Sequence, residues 1–385
     1  MRAGLSSFTL RAVLAAAALS LVAGCSFLPA GMGGTVEKPK PAELQPNPNL
    51  IGVRPSWTAK IGTVDFPLVV AVNGNAIALG ASDGTVVGLD ATTGREQWRG
   101  SAGAPLAAGV GFDGSTAAVV TRSNEVVAFA SGKEVWRQKL HALSYTPPLV
   151  AGARVFVLAA DRSVTAFDGG TGRRLWSQQR TGDPLVLRQA GVILPVGDTL
   201  VVGQGGRLAG LNPLNGTVRW EASIATARGI NDVERLVDLV GRVSRVGDTI
   251  CTRAFQAAVG CVDASRGQLL WTQRADGTDG VDGDAANVFG TERDGKVVSW
   301  RRDNGQRAWT TDRLLHRGVG TPLALGRSVV VGDESGFVHL LSREDGTLLN
   351  RLSTDGSAIA SAPLSVGNNL IVVTRNGGVF AFVPQ

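Results

Sequence analysis

Seven of the eight tryptophans in this chain recur at intervals of 38 to 51 residues, and this spacing restricts the possible folds more than any other feature. The seven are Trp57, Trp98, Trp136, Trp176, Trp220, Trp271 and Trp309, and Asn350 occupies the next position in the series. A period of about 40 residues built from short strands is typical of a β-propeller, in which one repeat forms one four-stranded blade. The spacing therefore predicts an all-β ring.

Most of these tryptophans end a short frame of Asp or Asn, three residues, Gly, three residues and Trp, as in Asp90, Gly94 and Trp98. The frame indicates a tight turn between the third and fourth strands of a blade. The carboxylate or amide caps its own backbone, and the glycine takes a positive φ. The tryptophan that follows is expected to pack against the neighbouring blade.

The frames give seven complete repeats and two fragments that complement each other. Residues 362–383 supply three strands of an eighth repeat, and residues 54–61 resemble a fourth strand without its first three. Joining them would remove the open edges of the ring. We therefore predict an eight-bladed β-propeller over residues 51–385, with four antiparallel strands per blade and the last blade completed by the N-terminal strand.

Residues 1–24 have the pattern of a secretory leader. Arg2 and Arg11 flank a short positive region, and the apolar stretch 12–21 is too short to span a bilayer. Small residues followed by Cys25 resemble the lipobox of bacterial lipoproteins, which implies cleavage before Cys25 and its acylation. Ser26 after the cysteine points by the same resemblance to the outer membrane. The alternative is an ordinary signal peptide in which the cysteine is incidental.

Residues 25–50 contain several prolines and glycines and show no strand pattern. They are interpreted as the lipidated cysteine and a flexible tether. A flexible chain of about 25 residues has a root-mean-square reach of roughly 25–30 Å, so the ring would stay beside the membrane.

Two further cysteines, Cys251 and Cys261, lie five residues on either side of Gln256. The equivalent positions in the first repeat, Ala78 and Gly88, straddle a hairpin turn. Equal offsets place the two thiols opposite each other on adjacent strands, and disulfides persist in an exported compartment. A cross-strand disulfide is the favoured interpretation, and two buried free thiols are the alternative.

The composition argues against nucleic acid binding and against metal or nucleophilic catalysis. The formal net charge is +6, of which the leader contributes two, and the basic residues are scattered. With three histidines and no cysteine cluster, neither a zinc site nor a catalytic triad has enough components. The acidic run 276–284 misses the spacing of a calcium loop. We expect no catalytic residue, no metal and no cofactor.

Two consecutive connections between repeats are longer than the others. From each tryptophan to the first hairpin glycine of the next repeat the count is 12 to 17 residues, but it is 21 from Trp176 to Gly197 and 27 from Trp220 to Gly247. Both connections emerge on the same face of the ring. Leu185, Leu187 and Arg188 in the first could form the core of an interface with a charged anchor, or the leucines could fold back over the blade ends.

The repeat resembles that of PQQ-type quinoprotein propellers, and the whole chain resembles the BamB family of outer-membrane β-barrel assembly lipoproteins. The most specific matches are Asp312-Arg-Leu-Leu-His-Arg317, Val329-Val-Val-Gly-Asp333, Leu185-Val-Leu-Arg188 and Glu234-Arg-Leu-Val-Asp238. This resemblance implies a non-enzymatic scaffold that is lipid-anchored on the periplasmic side of the outer membrane.

Further implications of the resemblance concern partners. The family's corresponding loops contact a POTRA domain of BamA, which implicates Leu185, Leu187, Arg188 and Asp238; where relatives carry a second acidic residue, Val240 stands here. Other assembly-complex lipoproteins and unfolded outer-membrane proteins are further expected partners.

Two other functions fit a propeller. One is a PQQ-type dehydrogenase, which the missing adjacent cysteines and calcium ligands disfavour. The other is a cell-wall glycan binder, which is disfavoured because most tryptophans are committed to blade packing.

Overall fold

A computed structural model describes residues 39–180, 186–227 and 236–385, of which those from Pro41 onwards belong to one compact unit. The described residues form 32 β-strands in eight four-stranded antiparallel sheets, so the predicted eight-bladed β-propeller is confirmed. Within the described ranges there is no helix of the length and apolar character that crossing a bilayer requires.

The first strand is β1 (Val53–Lys60), and seven blades follow in chain order, each from its inner to its outer strand. Blade I contains β2 (Ala71–Asn73), β3 (Ala76–Gly80), β4 (Thr85–Asp90) and β5 (Glu96–Ser101). Blade II contains β6 (Gly111–Phe112), β7 (Thr116–Val120), β8 (Glu125–Ala130) and β9 (Lys133–Lys139). Blade III contains β10 (Leu149–Ala151), β11 (Arg154–Leu158), β12 (Val164–Asp168) and β13 (Arg174–Gln178). Blade IV contains β14 (Ile193–Val196), β15 (Thr199–Gln204), β16 (Arg207–Leu211) and β17 (Val218–Ser223).

Blades V to VIII continue the same order around the ring. Blade V contains β18 (Leu239–Val246), β19 (Thr249–Ala254), β20 (Ala258–Asp263) and β21 (Gln268–Arg274). Blade VI contains β22 (Val281–Gly283), β23 (Asn287–Thr291), β24 (Val297–Arg301) and β25 (Arg307–Thr311). Blade VII contains β26 (Leu323–Leu325), β27 (Ser328–Gly332), β28 (Phe337–Ser342) and β29 (Leu348–Ser353). Blade VIII contains β30 (Leu364–Val366), β31 (Asn369–Val373) and β32 (Gly378–Pro384), and β1 completes it.

The ring closes as the two sequence fragments predicted. β1 pairs antiparallel with β32 from Val53 opposite Pro384 to Lys60 opposite Gly378, and the sheet order is β1-β32-β31-β30. One buried apolar cluster continues across this closure, because it contains Ile371 of blade VIII, Ile77 of blade I and Val127 of blade II. The N-terminal strand thus supplies the missing outer strand, and the two ends of the ring share a core.

The two middle strands of each blade are the most buried, since a neighbouring blade covers each of their faces. In blade I, β3 and β4 are buried at almost every position, whereas β5 is mostly exposed. This explains the continuous apolar runs in the middle strands and the mixed composition of the outer strands, because only strands covered on both faces need apolar residues at every position.

Tryptophans join successive blades, as the repeated frame predicted. The ring of Trp136 lies against Gly172, and a Cβ on this glycine would come within 2.6 Å of the indole. Gly172 has a φ of 72°, and Trp136 Nε1 donates to the carbonyl of Gly169 at 2.7 Å. A glycine is therefore required by both its backbone conformation and the closeness of the indole. At the eighth position Asn350 replaces the tryptophan, and its Nδ2 donates a hydrogen bond to Ile51 O at 2.7 Å.

Residues 41–52, which we call the strap, run along the outer strand of blade VII. Leu50 N donates to Leu349 O at 2.8 Å, and Asn47 Nδ2 donates to Arg351 O at 3.0 Å. At the other end, Ala42 N donates to Leu315 O at 2.8 Å, and Arg317 Nη1 donates to Ala42 O at 3.1 Å. The strap therefore occupies backbone acceptors that an outer strand otherwise presents to solvent.

The strap includes the last part of the flexible tether predicted for residues 25–50, of which residues 25–38, like the predicted leader, lie outside the described residues. Arg351 Nη1 holds Gln45 O at 3.0 Å and Arg313 Nη1 holds Gln45 Oε1 at 2.8 Å, so this part of the chain is docked on the ring. Proline has no backbone N–H to donate to a strand ladder, but its neighbours can accept side-chain hydrogen bonds from arginine, and composition does not reveal these partners.

Candidate partner-binding site

The two faces of the ring carry different connections. Strands alternate in direction, so each outer strand leads to the next inner strand on one face, which also carries the hairpins between second and third strands. We call this the crossing face and the opposite one the turn face. The long crossing between β13 and β14 covers residues 179–192, and the one between β17 and β18 covers residues 224–238. The described parts of both therefore lie on the crossing face.

The structure joins the end of the first long crossing to the strand that follows the second, β18. Gly241 N donates to Ala190 O at 2.7 Å, and Gly191 forms an isolated antiparallel bridge with Val240. Ala190 and Gly191 end the first crossing, whereas Val240 and Gly241 lie at the start of blade V. Consequently the described parts of the two crossings share one surface patch at blades IV and V.

Leu187 and Arg188 lie in the described part of this patch. Leu187 is half-buried, and its backbone N donates to Asp238 Oδ2 at 3.3 Å. Arg188 is exposed and lines the central cavity of the ring. Leu185, the third residue predicted here, lies outside the described residues. The patch thus presents a partly accessible leucine beside an exposed guanidinium.

Asp238 engages groups within the chain. Its side chain is 15% exposed, and its Oδ1 accepts from Arg162 Nη2 at 3.3 Å, forming an ion pair with a side chain that is 14% exposed. Phe255 N donates to the backbone O of Asp238 at 3.0 Å. The structure therefore brings Asp238 next to Leu187, with its carboxylate bonded to the Leu187 backbone and to Arg162 of blade III.

Sequence reasoning did not identify Arg162. It lies in the hairpin between β11 and β12 with a φ of 64°, at the position where Gly84 stands in blade I. A residue other than glycine in this conformation is uncommon. An arginine in place of the glycine of this hairpin is the feature of the sequence that could have drawn attention to Arg162.

Val240 is buried, with 2% of its surface exposed. The expected second acidic residue is therefore replaced by an apolar side chain at the joint between the two crossings. A carboxylate at this buried position would need a partner to offset its desolvation.

The central cavity has a volume of about 1420 Å³ and is lined mainly by inner strands and crossings. Its charged lining includes Asp279. Burial raises the pKa of this carboxyl group, and the hydrogen bond from Thr278 opposes that shift. In the described ranges no three His, Cys, Asp or Glu side chains are grouped so as to hold a metal ion.

An ion pair is buried between blades V and VI. The side chain of Arg253 is fully buried, with Nη1 3.5 Å from Glu292 Oε1 and the guanidinium 5.9 Å from the centre of the Trp300 ring. Burial lowers the pKa of Arg253, and Glu292 and Asp279 oppose that shift. A Cβ on Gly277 would come within 2.0 Å of Arg253 Nη1, so the arginine packs directly beneath the crossing to blade VI.

The two cysteines of blade V face each other directly. Cys251 of β19 pairs with Cys261 of β20 with their Cα atoms 4.0 Å apart, and the sulfur atoms are bonded. Both residues are fully buried, and Arg302 Nη1 lies 3.2 Å from Cys251 Sγ. That the pair is oxidised in the cell stays a prediction. Cys25 lies outside the described residues, and its lipidation also stays a prediction.

The fold defines a class of protein: eight-bladed propellers with PQQ-type repeats. The family model for the outer membrane protein assembly factor BamB matches residues 82–311. A BamB from Burkholderia pseudomallei is 37% identical over 340 residues, covering 87% of this chain and 89% of the relative. One from Bordetella pertussis is 36% identical over 365 residues, covering 94% of each. This chain belongs to the BamB family of outer membrane protein assembly factors.

Solved structures show how widely the fold is shared. The crystal structure of BamB from Moraxella catarrhalis matches with a TM-score of 0.79 at 24% identity, covering 86% of this chain and 99% of that one. A quinohemoprotein alcohol dehydrogenase from Comamonas testosteroni matches with a TM-score of 0.66 at 14% identity, covering 89% and 78%. At such identities the likeness concerns the fold, which is common to assembly factors and enzymes.

Proposed function

We propose that this chain is a scaffold lipoprotein that docks on a POTRA domain of BamA through the joined crossings of blades IV and V. In this way it assists the insertion of β-barrel proteins into the outer membrane. Membership of the assembly-factor family supports the general role. The observation that carries the docking site is the segment Leu187–Arg188, a half-buried leucine next to an exposed arginine, which the hydrogen bond from Leu187 N to Asp238 Oδ2 ties to the end of the second long crossing.

The chemistry of the patch suits a protein partner. A leucine that a partner can cover, next to an arginine, combines apolar burial with a directional charge, and arginine is enriched at interface hot spots. Acylation of Cys25 would anchor the chain to the outer membrane, because several acyl chains on one residue give firm attachment. Unfolded barrel proteins and other assembly lipoproteins are the remaining proposed partners.

The docking site is tested with Leu187→Asp/Arg188→Glu, followed by co-purification with BamA. We expect the double variant to lose BamA, because it buries a carboxylate and reverses the anchoring charge. The control is Leu214→Asp/Arg173→Glu, which makes the same changes at exposed residues of the turn face. A folded crossing-face variant that retains BamA at the wild-type level contradicts the site.

The membrane attachment is tested separately with Cys25→Ala. The variant should move from the outer-membrane fraction to the soluble periplasmic fraction and lose incorporation of labelled palmitate. Retention in the membrane fraction with normal labelling would show that Cys25 is not the acylated residue.

A further inference from the structure

We propose that Asp238 and Arg162 form a clasp that holds the Leu187–Arg188 segment in its docking conformation. Asp238 is then a positioning residue and not a contact for the partner. This inference rests on the proposed docking function, and it adds Arg162, a residue of blade III, to the machinery of the site.

Both carboxylate oxygens of Asp238 are committed to different elements. Oδ1 accepts from Arg162 Nη2, and Oδ2 accepts from the backbone N of Leu187, each at 3.3 Å. With 15% of its side chain exposed, Asp238 offers a partner little surface. The carboxylate therefore links the hairpin of blade III to both long crossings.

Both ends of the clasp are fixed by the folded ring. The backbone O of Arg162 accepts from Gln204 Nε2 at 2.8 Å, and Arg162 N donates to Ala159 O at 3.0 Å. On the other side, Leu239 N donates to Gly205 O at 3.0 Å, directly after Asp238. Gln204 and Gly205 both belong to blade IV. Blade IV therefore fixes the positions of Arg162 and Asp238 relative to each other.

Among the described residues, the Leu187–Arg188 segment pairs with no strand. It precedes β14, which begins at Ile193, and its next backbone link is the joint at Ala190 and Gly191. A segment without ladder pairing loses conformational entropy when a partner orders it, and a contact that orders it beforehand reduces that cost. Loss of either charged residue should therefore weaken docking even though the partner touches neither.

The test uses the full mature chain with Arg162→Ala, Asp238→Ala and the double variant, titrated with the purified POTRA region of BamA. Each single variant should lose affinity by about tenfold or more, and the double variant should lose no more than the worse single one, because the residues act as a unit. Arg219→Ala is the matched control, because it removes an arginine from another Arg–Asp pair. Arg219 Nη1 lies 2.8 Å from Asp198 Oδ1, and Asp198 belongs to the β14–β15 hairpin on the turn face, away from the proposed docking surface.

A readout without the partner separates positioning from contact. Hydrogen exchange at the Leu187 amide should become faster in both single variants and stay unchanged in Arg219→Ala. Asp238→Asn retains an oxygen that can accept from Leu187 N, so it should lie between wild type and Asp238→Ala in exchange and in affinity. Near-ultraviolet circular dichroism checks that every variant is folded.

Two results would overturn the clasp. One is an Asp238→Ala variant that loses affinity while Arg162→Ala binds normally, which would make Asp238 a direct contact. The other is an unchanged exchange rate at the Leu187 amide in both variants. Failure of the docking proposal itself is distinguishable, because Leu187→Asp/Arg188→Glu would then bind normally while the exchange measurement still reports on the clasp.

Discussion

The indole of Trp57 lies directly over Gly94, so that a Cβ on this glycine would come within 2.4 Å of Trp57 Cε3. Trp57 belongs to the closing strand β1 and Gly94 to the turn between β4 and β5, and Trp57 Nε1 also donates to Ala91 O at 3.1 Å. This contact joins the last blade to the first, and the same type of tryptophan–glycine contact recurs at five other junctions between blades.

Gly94→Ala should destabilise the protein by about 1–3 kcal/mol, because the methyl group displaces the indole at the closure. Gly74→Ala is a matched control, since Gly74 has a φ of 56° and a Cβ on it would meet no atom within 4 Å, whereas the φ of Gly94 is 72°. Both variants place alanine at positive φ, so the difference between them reports the indole contact. Denaturant unfolding measures it, and equal losses would refute the contact's role.

The pair Cys251 and Cys261 should be oxidised in protein isolated from the periplasm. Alkylation under denaturing, non-reducing conditions should leave both thiols unmodified, and mass spectrometry measures this. Replacing both by alanine should cost about 2–3 kcal/mol of unfolding free energy, because the bond restricts the unfolded chain. Full alkylation of both thiols without reductant would favour the alternative of two buried free thiols.

Acid should destabilise the ring through His339. Its side chain is fully buried, with Nε2 3.0 Å from Asp333 Oδ2, and Nδ1 has no hydrogen-bond partner in the described structure. Burial lowers the pKa of His339, which the Asp333 carboxylate opposes and the nearby Arg317 and Arg351 reinforce. The unfolded chain therefore takes up this proton first as pH falls, and stability should decrease from about pH 7 to pH 5, by at most about 1.4 kcal/mol per pH unit.

Asp333 contributes to the pH dependence of stability at a lower pH than His339 does. Burial raises its pKa, but hydrogen bonds from His339, Phe337 N and Arg317 outweigh burial and leave the pKa below the ordinary value of 3.8. A depressed carboxyl pKa gives stability that is lost only as pH falls through the folded-state value. His339→Gln should thus flatten the stability profile between pH 7 and 5, whereas the exposed His141→Gln should leave it unchanged. An unaltered slope in His339→Gln would assign the acid sensitivity elsewhere.

The strap should detach when its central hydrogen bonds are removed. Asn47→Ala/Arg351→Ala deletes the bonds from Asn47 Nδ2 to Arg351 O and from Arg351 Nη1 to Gln45 O. Hydrogen exchange at the Leu50 and Ala42 amides should become about tenfold faster or more, given roughly 1 kcal/mol for each bond. Glu43→Ala, at an exposed strap residue, is the control. Protection equal to wild type would mean that the strap is held by its ends.

Much of this protein could be predicted from its sequence because the propeller is a repeat. The interval between tryptophans set the blade count, the two complementary fragments set the closure, and the frame ending in Trp98 indicated a glycine turn under a neighbouring indole. These features depend on residues close in sequence, and each blade repeats them, so periodicity alone determines them.

Other features were decided only by tertiary structure. Composition assigned Gln45 and Asn47 to a flexible tether, but arginine and asparagine side chains more than 260 residues away hold both of them. Likewise the sequence grouped Asp238 with Leu187 but gave no sign that Arg162, 76 residues earlier, pairs with its carboxylate. Such contacts depend on which blades become neighbours and on which side chains their crossings bring within 3 to 4 Å, and no local pattern encodes that.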